Sequence, residues 1–251
     1  MKRFTSRGRG FNLPQGPVTY KYIEVGKTLY HAPSIGTARF SSRLAHRMLN
    51  ELFAAEKGIT TVYDPFCGNG VLLHTAYLLF NEQLDKIIGS DLSPLAMDSS
   101  WRNMQWLNDA KALEERLYAI ESFATEDVEV KEFAQQRCRL MFEHAKGIDM
   151  EVELFSQDAT CIGQRLAFLQ EEVALVTDPP YSHPGEDGRN NADFGPLPAF
   201  LEQAAAATNV RCLLLCYRLD APVLPLLEAH FAVEVLRGTK GRAVYYCRRD
   251  R

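Results

Sequence analysis

The six residues Val176-Thr177-Asp178-Pro179-Pro180-Tyr181 join an apolar run to an acid, two prolines and an aromatic ring. Neither proline can donate a backbone hydrogen bond, so the chain must leave a sheet here and expose its carbonyl groups. These carbonyls and the Asp178 carboxylate accept hydrogen bonds, which suits an amino group that presents two N–H bonds. Such acceptors favour the positive charge that develops on an attacking nitrogen. We therefore predict that Asp178, Pro179 and Tyr181 are catalytic, with Tyr181 stacked on a flat ring.

A second group of residues that could bind a ligand lies earlier in the chain, in Asp64-Pro65-Phe66-Cys67-Gly68-Asn69-Gly70. The apolar residues before this segment predict a short strand, and residues 71–80 predict a helix after it. Gly68 and Gly70 allow a sharp turn and a close approach of backbone to ligand, where a Cβ would collide. Asp64 adds a carboxylate near the same helix start. The segment therefore predicts a cofactor-binding turn.

Two further acids, Asp91 and Asp158, also follow predicted strands. Asp91 ends a strand over 85–91, roughly twenty residues beyond the glycines, which suits a carboxylate bound to ribose hydroxyls. Ser93-Pro94 then predicts a helix start. Strands over 151–158 and 173–177 end at Asp158 and Asp178. Because ligands of parallel sheets bind at the carboxyl ends of strands, we expect these acids to share one edge.

The alternation of strands and helices predicts an α/β fold, a Rossmann-like, doubly wound and mostly parallel sheet. We expect seven strands, because further strands are predicted over 210–217, 232–236 and 243–247. The last two are predicted to form a hairpin, so the last strand is antiparallel. A helix over 44–53 precedes the first strand. Residues 105–150 exceed what one crossover needs and predict a helical insertion between the second and third strands.

The domain organisation follows from composition. A chain of 251 residues with 46% hydrophobic content suits one domain, which we place at 28–251. Residues 1–27 form a predicted basic, flexible arm, because the first 17 residues have too few apolar side chains to offset the entropy of ordering. Residues 182–198 form a polar loop rich in Gly and Pro, which we interpret as a substrate flap.

Charge is unevenly distributed along the chain. The net charge is -4, yet residues 1–27 and residues 237–251 each carry six Lys or Arg against one acid. Phosphates attract such clusters whatever the global charge, so the two ends predict a contact with nucleic acid. The alternative is a solvated charged surface, and both interpretations stay open.

Cysteine usage and hydropathy exclude several classes of protein. The six cysteines show neither a CxxC pair nor zinc-ligand spacing, so we expect reduced thiols, no disulfide and no metal. No apolar run approaches the ~20 residues that span a bilayer, and the first residues lack the apolar segment of a secretory signal. We therefore expect a cytoplasmic protein without a membrane partner. Trp101 and Trp106 are expected in the core.

The two motifs, in this order, resemble those of class I S-adenosylmethionine-dependent methyltransferases of the amino-methylating kind. Phe66 stands where the common cofactor loop has its first glycine, as is typical of that branch. More narrowly, the chain resembles the ribosomal RNA guanine methyltransferases of avilamycin resistance. The segments that carry this resemblance are Leu29-Tyr30-His31-Ala32-Pro33, Arg43-Leu44-Ala45, Asp64-Pro65-Phe66-Cys67-Gly68, Ser90-Asp91-Leu92-Ser93-Pro94 and Thr177-Asp178-Pro179-Pro180-Tyr181.

The resemblance implies S-adenosyl-L-methionine as cofactor, ribosomal RNA as partner, and a monomeric enzyme that methylates a guanine. It implies that the cofactor is bound by Asp64, Phe66, Gly68, Gly70, Asp91, Asp158 and Ala159. Asp91 would hold the ribose, and Asp158 with Ala159 the adenine. A base inside a helix cannot reach Tyr181, so the nucleotide must be single-stranded or flipped out. The substrate contacts are then expected from Pro180, His183 and Arg43.

Three alternatives remain at this point. The first is N6 methylation of adenine in DNA or RNA, because the target motif binds an amino group more than a particular ring. The second is a nicotinamide-dependent oxidoreductase, which is disfavoured because Gly68-Asn69-Gly70 does not extend to the full dinucleotide pattern. The third is a non-catalytic cofactor-binding scaffold, and the presence of Asp178 and Tyr181 argues against it.

Overall fold

The computed structural model describes residues 42–122, 128–180, 194–219, 221–236 and 241–249. The predicted N-terminal arm, Tyr181, His183 and most of the predicted flap lie outside these ranges. The helices of two or more turns are α1 (Ser42–Ala55), α2 (Val71–Leu79), α3 (Pro94–Gln105), α4 (Ala110–Glu121), α5 (Val128–Ala145) and α7 (Leu197–Ala206). Two short helices are α6 (Ile162–Leu166) and α8 (Leu224–Glu228).

The strands are β1 (Thr61–Asp64), β2 (Lys86–Asp91), β3 (Glu151–Ser156), β4 (Val173–Thr177), β5 (Val210–Arg218), β6 (Ala232–Leu236) and β7 (Arg242–Arg248). They form one seven-stranded sheet in the order β3-β2-β1-β4-β5-β7-β6. The pairs among β1 to β5 are parallel, and β7 is antiparallel to both β5 and β6. This confirms the predicted fold class. The strand order reverses between β1 and β4, and in open α/β sheets ligands bind at such a reversal.

Helices cover both faces of the sheet, because successive residues of each strand point to opposite sides. Ala174 and Val176 of β4 pack into a core with α1, α2 and α5. Val173 and Leu175 pack into a second core with α6, α7 and α8. The core residues of β4 are fully buried. Burial of this kind contributes about 1.5–3 kcal/mol for each large apolar side chain, which makes the central strands a rigid support for the residues at their ends.

Between β2 and β3 the chain forms α3, α4 and α5. Ser93 caps α3 by accepting a hydrogen bond from the Ala96 amide at 3.3 Å, with Pro94 as the first helical residue. Trp106 is 1% exposed and fills the core beneath these helices. Trp101 is 55% exposed, so its predicted place in the core is wrong. It lies on the outer face of α3, where Asp98 and Arg102 form a surface ion pair.

None of the helices in the described ranges has the length and apolar character required to cross a bilayer. All six cysteines are free thiols, and Cys212 and Cys216 are buried in the core.

Candidate active site

The predicted cofactor turn connects β1 to α2 and depends on two glycines in the left-handed backbone region. Gly68 has φ 55° and Gly70 has φ 78°. The turn is closed by a hydrogen bond from the Gly70 amide to the Cys67 carbonyl at 2.8 Å. A Cβ on Gly70 would lie 2.5 Å from Ser100 Oγ, whereas a Cβ on Gly68 would meet no atom within 4 Å. Gly70 is therefore required by packing inside the protein, and Gly68 faces open space that a ligand can enter.

Side chains from neighbouring elements hold this turn in place. Asp91, at the end of β2, accepts a hydrogen bond from the Gly68 amide at 3.0 Å and another from the Ser93 amide at 2.8 Å. Asn103 of α3 is 1% exposed and donates to the Asn69 carbonyl at 2.9 Å. The structure thus brings Asp91 and the glycine turn together. The role of Asn103 was missed, because a polar residue inside a helical pattern gives no signal of its distant partner.

Asp64 lies at the end of β1 and is 4% exposed. Its Oδ1 accepts a hydrogen bond from Thr177 Oγ1 at 2.6 Å and from the Phe66 amide at 3.2 Å. Burial raises the pKa of Asp64 to about 7, and the nearby carboxylates of Asp91 and Asp178 add to the increase. Three acids therefore interact around one turn, an environment that favours a bound cation.

Asp178 follows β4 on the other side of the strand-order reversal. Its Oδ2 accepts a hydrogen bond from Arg242 Nη1 at 2.9 Å, and the side chain of Asp178 is 9% exposed. Pro179 is buried, whereas Pro180 is exposed. The predicted contributions of Tyr181 and His183 fall outside the described residues. Sequence reasoning had counted Arg242 only as part of the basic C-terminal end.

Asp158 lies just beyond β3, the strand adjacent to β2. Its Oδ1 accepts from the Thr160 amide at 2.9 Å and from Thr160 Oγ1 at 2.8 Å, so Asp158 caps the short 3-10 helix Ala159–Cys161. Ala159 is buried. The backbone amide of the adjacent Gln157 donates a hydrogen bond to the Asp91 carbonyl at 3.2 Å. Asp158 therefore belongs to the same sheet edge as Asp91, and its cap fixes the backbone there.

A network of polar side chains lies beneath these acids. Tyr63 of β1 forms hydrogen bonds with Ser90 Oγ at 2.8 Å and with Gln157 Oε1 at 3.1 Å. It thereby connects β1 to β2 and to the residue that directly follows β3, near the carboxyl ends of these strands. Phe66 packs edge-on against Phe200 of α7, with ring centroids 5.3 Å apart. These contacts fix the spacing between the two halves of the site.

The predicted substrate residue Arg43 is exposed at the start of α1. Glu56 directly follows the other end of this helix and pairs with Arg211, the second residue of β5, so α1 runs antiparallel to the parallel strands. Arg43 therefore lies toward the edge that carries Asp64 and Asp178. In the part of the chain that the structure describes, no three His, Cys, Asp or Glu side chains form a group that could hold a metal ion.

The basic C-terminal end is used within the fold more than the charge count indicated. Arg242 pairs with Asp178, and the guanidinium of Arg248 lies 5.2 Å from the centroid of the Tyr246 ring. Arg249 donates hydrogen bonds to the carbonyls of Ala205 and Ala207. Three of the basic residues in this segment therefore have partners in the domain, which leaves less of its charge for a nucleic acid.

Comparison with known proteins gives a family and a set of relatives. A family model described as rRNA methyltransferase AviRa matches residues 17–213. The 23S rRNA (guanine(2535)-N(1))-methyltransferase of Streptomyces viridochromogenes is 33% identical over 90 residues, which cover 35% of this chain and 35% of that protein. The match thus spans about a third of the curated relative's length.

Solved structures share the fold. The rRNA methyltransferase AviRa of Streptomyces viridochromogenes superposes with a TM-score of 0.69 at 23% identity, covering 92% of this chain and 93% of that one. A 16S rRNA methyltransferase of Thermus thermophilus, solved with AdoMet and guanosine, gives a TM-score of 0.50 at 19% identity. That match covers 88% of this chain and 46% of the other.

Proposed function

Because the chain belongs to the AviRa family of rRNA methyltransferases, we propose that it transfers a methyl group from S-adenosylmethionine to a guanine of ribosomal RNA. One observation carries the proposal. The open glycine turn after β1 and the Asp178 carboxylate after β4 meet across the strand-order reversal, where Thr177 links them through its hydrogen bond to Asp64. A cofactor site and a site for a hydrogen-bond donor are thereby adjacent.

The residues of the glycine turn fit this cofactor. Gly68 leaves open space, and the three interacting carboxylates favour a ligand with positive charge, as S-adenosylmethionine has on its sulfur and its amine. Asp64 would bind the ammonium group, Asp91 the ribose hydroxyls, and Asp158 with the Ala159 amide the adenine. When bound, the cofactor supplies a methyl group whose bond to sulfur breaks as a bond to nitrogen forms, with the electron pair remaining on sulfur.

Asp178 would bind the reactive edge of the guanine. That edge presents the ring N1–H and the exocyclic amino group side by side, and a carboxylate can accept hydrogen bonds from both. The curated relative is named for methylation at N1. Transfer to N1 requires that its proton leave, and the Asp178 carboxylate can accept that proton. The charge that develops on the base is stabilised by the same carboxylate.

The base must leave its helix to reach this edge of the sheet. Tyr181 would stack on the extruded ring, and Pro180 and His183 would border it. Arg43, exposed toward the same edge, would bind a neighbouring phosphate. Unstacking costs a few kcal/mol, which these contacts offset.

The proposal is tested by incubating the protein with isotopically labelled S-adenosylmethionine and unmodified 23S and 16S ribosomal RNA transcripts, and with large ribosomal subunits. Nucleoside mass spectrometry then identifies the product, and we expect a methylated guanosine. N6-methyladenosine would move the activity to the adenine alternative, and a ribose-methylated nucleoside would contradict the proposed site. Calorimetry adds a separate check, because binding of NAD without binding of S-adenosylmethionine would overturn the cofactor assignment.

A further inference from the structure

We propose that Arg242 is a positioning residue for the transfer reaction, acting through Asp178. The inference rests on the proposed function and assigns a role to a residue at the first position of β7. It concerns the orientation of the carboxylate that meets the base, and it places part of the reaction geometry on the last strand of the chain.

The pairing crosses a whole strand. β5 lies between β4 and β7, and neighbouring strands are about 4.8 Å apart, so the Arg242 side chain must extend over β5 to reach the end of β4. The register places Arg242 opposite Arg218, at the last residue of β5. A long side chain that lies across another strand to contact one carboxylate oxygen at 2.9 Å fixes the orientation of that carboxylate.

The pair is largely removed from water. The side chain of Arg242 is 19% exposed and that of Asp178 is 9% exposed. A guanidinium stays protonated over the whole accessible pH range, so its charge is permanent. A carboxylate offers about four acceptor positions and can accept several hydrogen bonds at once, and Arg242 contacts one of its two oxygens. Anchoring through Oδ2 is thus compatible with hydrogen bonds from a substrate.

Arg242 also adds a positive charge beside one of two acids that repel each other. Asp178 contributes to the unfavourable electrostatic environment of Asp64. A cation paired with Asp178 offsets part of its negative charge and so reduces that repulsion. Arg242 therefore supports the target half of the site without a direct role in cofactor contact.

The test uses the full chain with three substitutions. Arg242→Gln removes the charge, Arg242→Lys keeps it without the planar fork, and Arg248→Gln is the matched control at the other end of β7. If Arg242 positions Asp178, the kcat of Arg242→Gln falls about 100-fold, because a small misplacement of reacting groups has an effect of this size. Arg242→Lys retains an intermediate kcat, and Arg248→Gln retains the wild-type value. The KM for 23S RNA and the Kd for S-adenosylmethionine stay within about twofold of wild type.

A purely structural ion pair gives a different pattern. Its loss would lower activity only in proportion to the folded fraction, which thermal unfolding of the same samples measures. Asp178→Asn and the double variant with Arg242→Gln add a second readout. If Arg242 acts through Asp178, the double variant is no slower than Asp178→Asn alone, because the two changes remove one interaction.

The outcomes separate the two hypotheses. An active wild-type protein combined with an Arg242→Gln variant of unchanged kcat would overturn the positioning role and leave the proposed function intact. Losses that multiply in the double variant would overturn it in the same way. A wild-type protein that methylates neither free RNA nor ribosomal subunits would refute the proposed function and this inference with it.

Discussion

The two ends of the central sheet use the same types of side chain for different purposes. At the amino end of the parallel strands, Glu56 is 7% exposed and receives hydrogen bonds from the Tyr246 hydroxyl and from Arg211 Nε, the latter at 3.1 Å. At the carboxyl end, Asp64 accepts a hydrogen bond from the Thr177 hydroxyl, and Asp178 accepts one from the Arg242 guanidinium. Each end therefore combines a buried acid, a hydroxyl and an arginine.

The difference lies in how the donors are distributed. One oxygen of Glu56 accepts a hydrogen bond from the Tyr246 hydroxyl and the other accepts one from the Arg211 guanidinium, so a single carboxylate has both partners. At the carboxyl end the two donors serve two different acids, which also interact unfavourably with each other and with Asp91. A single acid with both kinds of donor stabilises the fold. Three acids that lie close enough to repel one another favour a ligand that brings positive charge or N–H groups.

The strongest test of this division is Asp178→Asn. We expect kcat to fall by about 10²–10³-fold, because the amide lacks the charge that stabilises the reacting base. Affinity for S-adenosylmethionine changes little, since the cofactor residues are untouched. Steady-state kinetics and calorimetry on the same preparation measure both quantities. Wild-type turnover in this variant would show that Asp178 has no role in the reaction.

Asp64→Asn tests the repulsion at the carboxyl end through pH. Burial raises the pKa of Asp64 from 3.8 to about 7 in the folded protein, so the folded state retains this proton while the unfolded state has lost it. This acid therefore makes the free energy of unfolding decrease as pH rises from about 4 to about 7, by at most about 1.4 kcal/mol per pH unit. Asp64→Asn removes that contribution. Urea unfolding at a series of pH values compares the slopes, and equal slopes would contradict the pKa shift.

Glu56→Gln tests the opposite end. Loss of the charged acceptor should lower the free energy of unfolding by about 1–2 kcal/mol, because Tyr246 and Arg211 then share a neutral partner. Turnover of the folded enzyme should equal that of the wild type. Denaturant unfolding and kcat are measured side by side. A large loss of kcat without loss of stability would mean that the two ends do not divide structure from chemistry.

The smallest effect is expected from Asn103→Ala. This change removes the hydrogen bond to the Asn69 carbonyl and should weaken binding of S-adenosylmethionine by about 1 kcal/mol, or roughly fivefold in Kd. Methyl transfer at saturating cofactor should be nearly unaffected. Calorimetric titration measures the change, and Asn108→Ala on the neighbouring loop is the control. An unchanged Kd would show that the turn holds its shape without Asn103.

The features that could be predicted from the sequence are those that depend on residues close together in the chain. The strand, glycine turn and helix around Asp64 to Gly70 follow from local patterns, and so does the strand that ends at Asp91. Ser93 and Pro94 marked the start of α3 correctly. The hairpin of β6 and β7 was also predictable from the residues between them.

The parts that sequence did not predict join distant positions. Thr177 contacts a residue 113 positions earlier, Arg242 one that lies 64 positions earlier, and Asn103 one that lies 34 positions earlier. No local pattern encodes such pairs, since they depend on strand order and on which face a side chain occupies. Trp101 failed for a related reason, because hydrophobicity alone does not tell the outer face of α3 from its inner face.

The position of β7 between β5 and β6 sets an order of assembly. In the described part of the sheet, β6 pairs only with β7, although β6 is synthesised first. The ribosome thus releases β6 before its neighbour exists, and that strand must wait for the C-terminal residues to bridge it to β5. Arg242 arrives at Asp178 in the same event. A nascent chain in which β7 has not yet been made lacks the contact from Arg242 to Asp178, so under the proposed function the orientation of this acid is set only when β7 joins the sheet.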